Sequence, residues 1–434
     1  MEFLKSKRGI LVLIIILGAI IFVINKLYES RYGYIVLGPI MKCEKSNYVK
    51  LSDGRVFFVG HNMHRDELFR SDMYRRVNYR ACPSEIYDPE KNTFEEVNLP
   101  EDFYYLDKAV LLKDGKLLFT KVKDLNNPSE ISPKYQMEKK SASLSDCAAQ
   151  YGSLAVYNLQ TNKIEKYMQT KMNKYLDAMN ASSYLTMKNG KVINYNHECG
   201  YIEIYDINNN TSELIKIKKD YGFRQRPRIF HTKDNDEVII ITSTENPILK
   251  YNDKTKTIQE IGKFNLLKKG DCPVGVCISG EFTKLFRIND DMFLVVGGTL
   301  DRRRNAEANG KDEFFDYTSK SIVEIYNIKT ERSEIIEMLD VRESWRYHNF
   351  MTIEKIDEDN ILIASGVKSI FRPLGIQRPL KTTEILNLKT KKFTRGPRMK
   401  RKYGKHQAIK LDNGDILISS GLTTQIFKKW KVWR

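Results

Sequence analysis

The sequence predicts an all-β protein: a propeller of about seven four-stranded blades carried behind one N-terminal transmembrane helix. Three observations predict it. A hairpin of two apolar strands around a polar turn recurs seven times between Tyr48 and Gly421. A third strand ending in Asp or Asn, in five cases directly after Tyr, follows each of the first six hairpins. An unbroken apolar run, Ile10 to Ile24, stands behind Lys5, Lys7 and Arg8.

The apolar run comes first in the chain. At 1.5 Å per helical residue its core spans roughly 22 Å, short of the roughly 30 Å hydrocarbon layer. Gly9, Leu27 and Tyr28 extend it to residues 9–28, and Lys26 can snorkel. No small-x-small cleavage site follows, which favours an uncleaved anchor; a cleaved signal peptide is the rival. The preceding positive charge places residues 1–8 in the cytoplasm and everything beyond the anchor outside. Residues 29–45 then form a linker, and within it Tyr34-Ile-Val-Leu37 is a candidate strand for closing a ring. Residues 46–434 form the propeller.

The repeats begin with Tyr48-Val-Lys-Leu-Ser-Asp-Gly-Arg-Val-Phe-Phe-Val-Gly60. Ala109 to Phe119 repeats this around Asp114-Gly115, a third copy centres on Asn189-Gly190, and a seventh runs from Ile409 to Gly421 around Asn413-Gly414. Looser turns stand at Asp234–Asp236, Asn289–Asp291 and Asp357–Asp359. Asn-Gly and Asp-Gly suit the positive φ of tight hairpin turns between β-branched runs. The third strands read Glu85-Ile-Tyr-Asp88, Ala155-Val-Tyr-Asn158, Glu203-Ile-Tyr-Asp206, Leu249-Lys-Tyr-Asn252, Glu324-Ile-Tyr-Asn327 and Glu384-Ile-Leu-Asn387. A polar turn and a fourth strand follow, as in Lys91 to Val97 and Lys391 to Thr394. The seventh copy has only Thr424 to Trp430 before the chain ends, so Tyr34–Leu37 is expected to supply its missing strand.

This unit resembles the kelch repeat. Val296-Gly297-Gly298 carries the family's double glycine, Ser365-Gly366, Ser420-Gly421 and Gly60 carry part of it, and Phe94 and Phe393 stand where the family usually has Trp. Met338, Arg342 and His348 follow the family's inter-blade pattern, as do Met399, Arg401 and His406. The resemblance covers Tyr48 to the C-terminus and implies a kelch-like β-propeller. It implies little about activity, because kelch propellers include enzymes, lectin-like modules and adaptors. Turn centres lie 60 residues apart on average, against about 50 for kelch, so the loops must hold insertions.

Strands alternate direction within a blade, so the 1–2 and 3–4 turns share one face and the 2–3 and 4–1 loops the other. The 2–3 loops are the long ones: His61 to Pro83, Lys121 to Tyr151, Thr299 to Lys320 and Val367 to Lys381. Long loops on a rigid scaffold are where binding concentrates. The 4–1 loops add Arg, Tyr, Trp and His to the same face, in Lys218 to Arg228, Arg342 to His348 and Arg398 to His406. Arg228, Arg342, Arg346 and Arg401, with His348 and His406 beside them, are the candidate binding residues. Their guanidinium forks suit carboxylate or phosphate. The competing reading gives these arginines and histidines a structural task, bracing neighbouring blades.

The chain carries a formal charge of +17. Fourteen Lys or Arg against Asp412 and Asp415 place most of the surplus after residue 388. Such a balance favours anionic partners; export leaves an anionic glycan or protein and sets nucleic acid aside. The chain is expected to be a monomer and to need no cofactor. His61, His64, His197 and Cys199 are the nearest approach to metal ligands, without a cluster to complete them. No P-loop, nucleophile elbow or dinucleotide glycine run occurs. A carbohydrate-acting enzyme of oxidase or mutarotase type remains the alternative function, and acids or metal ligands converging on the propeller axis would favour it. Of six cysteines, Cys272 and Cys277 flank Pro-Val-Gly-Val at a spacing that a disulfide could bridge.

Overall fold

A computed structural model describes residues 15–16, 18–19, 32–42, 47–60, 83–99, 108–122, 152–171, 182–196, 200–217, 228–242, 246–264, 277–278, 284–296, 300–301, 322–340, 351–371, 376–402, 407–420 and 422–429. They form seven four-stranded antiparallel sheets, each built from strands in chain order except the last, with short extra strands inserted between the second and third strands of blades 5 and 6. Blade 1 comprises Asn47–Lys50, Val56–Val59, Ser84–Asp88 and Thr93–Val97. Blade 2 has Ala109–Leu111, Leu117–Val122, Gly152–Asn158 and Lys163–Thr170, and blade 3 has Ser182–Thr186, Val192–Asn196, Tyr201–Asp206 and Thr211–Lys216. Blade 4 is Arg228–His231, Glu237–Ile241, Pro247–Asn252 and Thr257–Lys263, and blade 5 is Lys284–Arg287, Met292–Val296, Ile322–Asn327 and Arg332–Glu337. Met351–Lys355, Asn360–Ser365, Thr383–Asn387 and Lys392–Arg395 make blade 6.

Blade 7 takes three strands from the C-terminal region, Gln407–Lys410, Ile416–Ser420 and Thr423–Lys429, and its fourth from Gly33–Ile40. Ile35 pairs with Phe427 and Leu37 with Gln425, so the strand expected at Tyr34–Leu37 stands at the rim of the last blade. Seven apolar clusters fill the seven gaps between neighbouring blades, including the gap between blades 7 and 1. The ring is therefore closed by packing as well as by strand pairing, and each sheet is covered on both faces by its neighbours. That double cover is why second strands read as continuous apolar runs, such as Val56–Val59 and Val238–Ile241, with every residue buried.

The third-strand signature now has a cause. Tyr87, Tyr157, Tyr205, Tyr251 and Tyr326 are fully buried, yet each hydroxyl keeps a polar partner. Tyr87 donates to Asn92 Oδ1 at 2.9 Å, Tyr205 to Glu203 Oε2 at 2.7 Å and Tyr251 to Asp253 Oδ1 at 3.0 Å, while Tyr326 accepts from Lys263 N at 3.1 Å. The Asp or Asn that ends the strand receives the N–H groups of the next turn: Glu90 and Lys91 donate to Asp88, Lys254 and Thr255 to Asn252, Lys389 and Thr390 to Asn387. Side-chain oxygen thus replaces ladder partners where the chain reverses. Those turns pass through a left-handed residue at the same place in six blades, Asn92, Asn162, Asn210, Lys256, Glu331 and Lys391. Gly54, Gly115, Gly190 and Gly414 take positive φ in the first hairpin turns.

A second repeated device joins the blades. The position two residues before the Tyr, or before Leu386 in blade 6, is a buried acid in four of them: Glu85, Glu203, Glu324 and Glu384. Gln425 holds this place in blade 7, also buried. Glu85 accepts Lys42 N at 3.2 Å, and Glu203 accepts Lys171 N at 2.7 Å. Glu384 accepts Leu339 N and Asp340 N at 2.8 and 3.0 Å. Gln425 Oε1 accepts Lys400 N and Arg401 N at 2.7 and 3.1 Å. In each case the donor lies where the chain leaves the preceding blade, so a third-strand side chain clasps the incoming 4–1 connection.

Asp253 ties blade 4 to blade 3. It is buried, and it accepts from Asn189, Lys191, Tyr251 and Lys256. Burial pushes its carboxyl up, but the hydrogen bonds from Lys191, Lys256 and Tyr251 outweigh this and hold it below the usual range. A depressed folded pKa adds stability that is present above the unfolded value and is lost as pH falls through the folded one. The Asp253→Asn variant should melt lower than wild type at pH 7, and the gap should narrow on acidification below about pH 4. A gap that stays constant down to acid pH would contradict this.

Candidate functional site

The first strands of most neighbouring blades touch one another, which identifies them as the inner ring around the axis. Their inward edges have no further strand to pair with, and side chains from the next blade take up the exposed carbonyls. Tyr48 donates to Ala408 O at 3.1 Å, Thr186 to Leu111 O at 2.5 Å, Lys284 Nζ to Met351 O at 2.8 Å, Lys50 Nζ to Lys410 O at 3.1 Å and Lys410 Nζ to Ile356 O at 3.0 Å. The axial wall is thereby lined with ionisable groups.

Four of them interact electrostatically: Tyr48 of blade 1, Arg228 of blade 4, Lys284 of blade 5 and Glu354 of blade 6, of which Arg228 and Lys284 open their inner strands while Glu354 lies fourth of five residues in its own. Arg228 and Lys284 are the first residues of the inner strands of neighbouring blades, so both stand at the loop-bearing end of the axis, where their charges repel. Burial, and then the neighbouring Arg228 charge, push the Lys284 ammonium down to about 7; Glu354 works the other way without reversing it. Burial pushes the Glu354 carboxyl up, although Lys355 N at 2.9 Å and the Lys410 N–H stabilise its charge. Burial and Glu354 raise the Tyr48 phenol to about 12 against the opposing effect of Arg228. Tyr48 is still 36% exposed and Lys284 half-buried, because the surface they leave open lies inside the ring. Side chains with perturbed proton affinity that remain reachable mark a candidate site.

The opposite end of the axis opens into a cavity of about 680 Å³ lined by Ser52, Leu111 to Gly115, Thr186 to Lys188 and Asn235. This is the short-turn face. Its cations are mostly engaged: Lys50 with Asp412, Lys355 with Glu358 at 2.7 Å, Arg287 with Asp290. His231 at that level is held below its usual range by burial and by Lys188 and Arg287. The face is balanced rather than basic.

Of the expected binding residues, Arg228 lies in the axial cluster and is exposed. Arg401 is exposed too, but its backbone is clasped by Gln425, so blade bracing and a surface guanidinium coexist there. Arg342, Arg346, His348 and His406 lie outside the described residues, as do His61, His64, His197 and Cys199. Cys272 does as well, so its pairing with Cys277 is untested; Cys277 itself stands in a two-residue strand opposite Asp301. That short ladder joins a 4–1 loop to a 2–3 loop, which confirms that the two loop types share a face. Val367–Phe371 and Ile376–Pro379 form a second ladder there, within a loop expected to be a long insertion.

Sequence reasoning missed Lys284, Glu354 and Tyr48. Each sits in an inner strand whose pattern looks like any half-buried strand, and only the ring brings them together. Among the described residues no group of three or more His, Cys, Asp or Glu gathers as a metal set. Nor is any helix among them long and apolar enough to cross a membrane. Of the Ile10–Ile24 run, Ile15, Ile16, Gly18 and Ala19 alone are described; they are helical and exposed.

Fold and inner ring together define a seven-bladed β-propeller with an ionisable axial channel. No family model and no curated protein matches the sequence. Among solved structures, the chain is similar to a fungal alcohol oxidase of the AA5 family in complex with copper, with TM-score 0.52 and 13% identity over 92% of this chain and 76% of that one. It is also similar to a streptogramin B lyase, with TM-score 0.51 and 10% identity over 93% of this chain and 99% of that one. At such identities the likeness is one of fold.

Proposed function

We propose that this is a kelch-like propeller held outside the cytoplasmic membrane by its N-terminal apolar segment, which binds an anionic glycan or an acidic protein group at the loop-bearing end of its axis. The observation that carries the reading is that Arg228 and Lys284 both open inner strands at that end and repel each other electrostatically. An anion placed between them would relieve their mutual repulsion and raise the proton affinity of Lys284. The basic 4–1 connections, with Arg342, Arg346, His348, Arg401 and His406, would extend the contact beyond the channel mouth. A carbohydrate-acting enzyme is the second reading. Glu354 favours it, as a carboxyl of raised pKa in the same channel as an amine of lowered pKa, the kind of divergence that assigns acid and base.

Binding of the full chain in detergent to acidic and neutral polysaccharides, measured by calorimetry, tests the first reading. A charge-assisted hydrogen bond contributes about 1.5–3 kcal/mol, so Arg228→Gln should weaken binding of the acidic polymer roughly tenfold to a hundredfold. Arg401→Gln should weaken it less. If Arg228→Gln binds like wild type while charge reversal at Lys113 and Lys188 abolishes binding, the ligand sits at the other end of the axis.

A further inference from the structure

We propose that the outermost strand of blade 7 lies edge-on against the membrane that holds the N-terminal apolar segment, in contact with the headgroup layer of anionic lipids. The inference deepens the anchor reading above and rests on it. Gly33–Ile40 exposes Tyr34, Leu37 and Ile40, at 37%, 50% and 66%. Leu422 adds a fourth exposed apolar side chain at the end of the strand, where Met41 N donates to Leu422 O at 2.8 Å. The outermost strands of the other six blades give the comparison. Among their described residues the exposed positions hold Thr, Gln, Glu, Lys or Arg, with Ile335 as the one apolar exception. Single exposed apolar residues are ordinary, whereas a cluster of large ones marks an interaction surface.

Both ends of the chain bring lipid-seeking residues to this strand. Residues 29–32 alone separate Gly33 from the expected anchor, residues 9–28. Even fully extended, the five steps from Tyr28 to Gly33 span about 18 Å at most. Gly33 pairs with Lys429 and Tyr34 with Lys428, so the C-terminal residues leave from the corner at which the chain arrives from the anchor. By sequence they read Lys428-Lys-Trp-Lys-Val-Trp-Arg434, with four cations and two of the chain's three tryptophans in seven residues. Tryptophan favours the membrane interface, and lysine and arginine are drawn to anionic headgroups. Lys428 and Lys429 also reach Asp415 and Asp357, at 3.5 and 2.9 Å, yet both ammonium side chains remain open to solvent. Blade 6 continues the basic rim with exposed Lys392 and Arg395 on its own outermost strand. Docking flat on the short-turn face would instead press exposed Glu358 and Asp412 against negative headgroups. Edge-on, the propeller axis runs parallel to the membrane and both of its ends stay open to the exterior.

Trp345→Phe leaves Trp430 and Trp433 as the only indoles of the full chain, and their fluorescence in nanodiscs tests the contact. With phosphatidylglycerol in the bilayer and bromines near the lipid headgroups, the bromolipid should quench this emission and aqueous acrylamide should not. Leu37→Glu combined with Ile40→Glu, both at exposed positions, should exchange the two results, while Ile335→Glu on the rim of blade 5 should leave them unchanged. In phosphatidylcholine alone the bromolipid quenching should fall, and equal quenching there overturns the role of anionic headgroups. Bromolipid quenching that survives the Leu37→Glu and Ile40→Glu pair means that the tail alone touches lipid, and overturns the docked rim. A tail open to acrylamide in a chain that stays with the nanodisc overturns the proposal and leaves the anchor standing. A chain that does not enter nanodiscs overturns the anchor and the rim contact with it. Dimers in detergent that Ile40→Glu dissociates would assign the strand to a second copy and overturn the membrane contact as well.

Discussion

Removing residues 33–40 should lower the melting temperature on the order of 10 °C or more and make the propeller prone to aggregate. The strand is short, but it closes the ring. Ile35 is 3% exposed and packs with Leu362, Ile385 and Phe427 in the gap between blades 6 and 7. Burying such a side chain contributes about 1.5–3 kcal/mol, before any ladder bond is counted. Its loss also uncovers the edge of Thr423–Lys429, a row of unpaired backbone groups that templates association. Thr424 would lose its bond to Pro39 O at 2.6 Å. For a large domain each kcal/mol shifts the midpoint by about 2–4 °C or less, and several are at stake. A point variant gives the same answer without a deletion. A Cβ on Gly33 would lie 2.2 Å from the backbone oxygen of Lys428, so Gly33→Ala should loosen the start of the same strand. Calorimetry and light scattering read both effects. An unchanged melt in both variants would mean that the seven interblade clusters suffice without the rim strand.

That closing strand was legible because Tyr34-Ile-Val-Leu37 alternates at the right place in a chain whose last repeat is one strand short. The turns were legible for the same local reason: Asp-Gly and Asn-Gly report φ directly, and Gly54, Gly115, Gly190 and Gly414 adopt it. What was not legible depends on seven-fold convergence. Lys284 and Glu354 lie 70 residues apart, and neither belongs to a motif. Their strands, Lys284–Arg287 and Met351–Lys355, are brought to the inner ring by two successive blades, and only there does Glu354 act electrostatically on Lys284. Arg228 was chosen for its chemistry and its loop; its place on the axis came from the first residue of a strand, a boundary that periodicity does not fix. The four buried glutamates were visible as a repeat but carried no role, because a Glu between an apolar strand and a Tyr looks solvent-facing until the incoming connection is seen above it.

Those glutamates give the other large effect expected. Replacing Glu384 by Leu removes the acceptor for both Leu339 N and Asp340 N, which lie in the connection from blade 5 to blade 6. Glu384 is 0% exposed, so water cannot take its place without opening the interface. A buried donor left without a partner costs about 1–3 kcal/mol, and two are orphaned, giving about 2–6 kcal/mol in all. Glu384→Gln should cost far less, about 1 kcal/mol or below, since a neutral amide still accepts both N–H groups. The chain contains its own control for this. Gln425 in blade 7 does the same task with an amide, accepting Lys400 N and Arg401 N and donating to Arg401 O at 3.2 Å. Glu203 clasps the connection between blades 2 and 3 in another gap of the ring, so its Leu variant should add to that of Glu384 within about 0.5 kcal/mol. Urea midpoints of the two Leu variants, the Gln variant and the double variant measure all of this. If Glu384→Gln falls as far as Glu384→Leu, one amide oxygen cannot take over from the two carboxylate oxygens that accept Leu339 N and Asp340 N, and the equivalence with Gln425 fails.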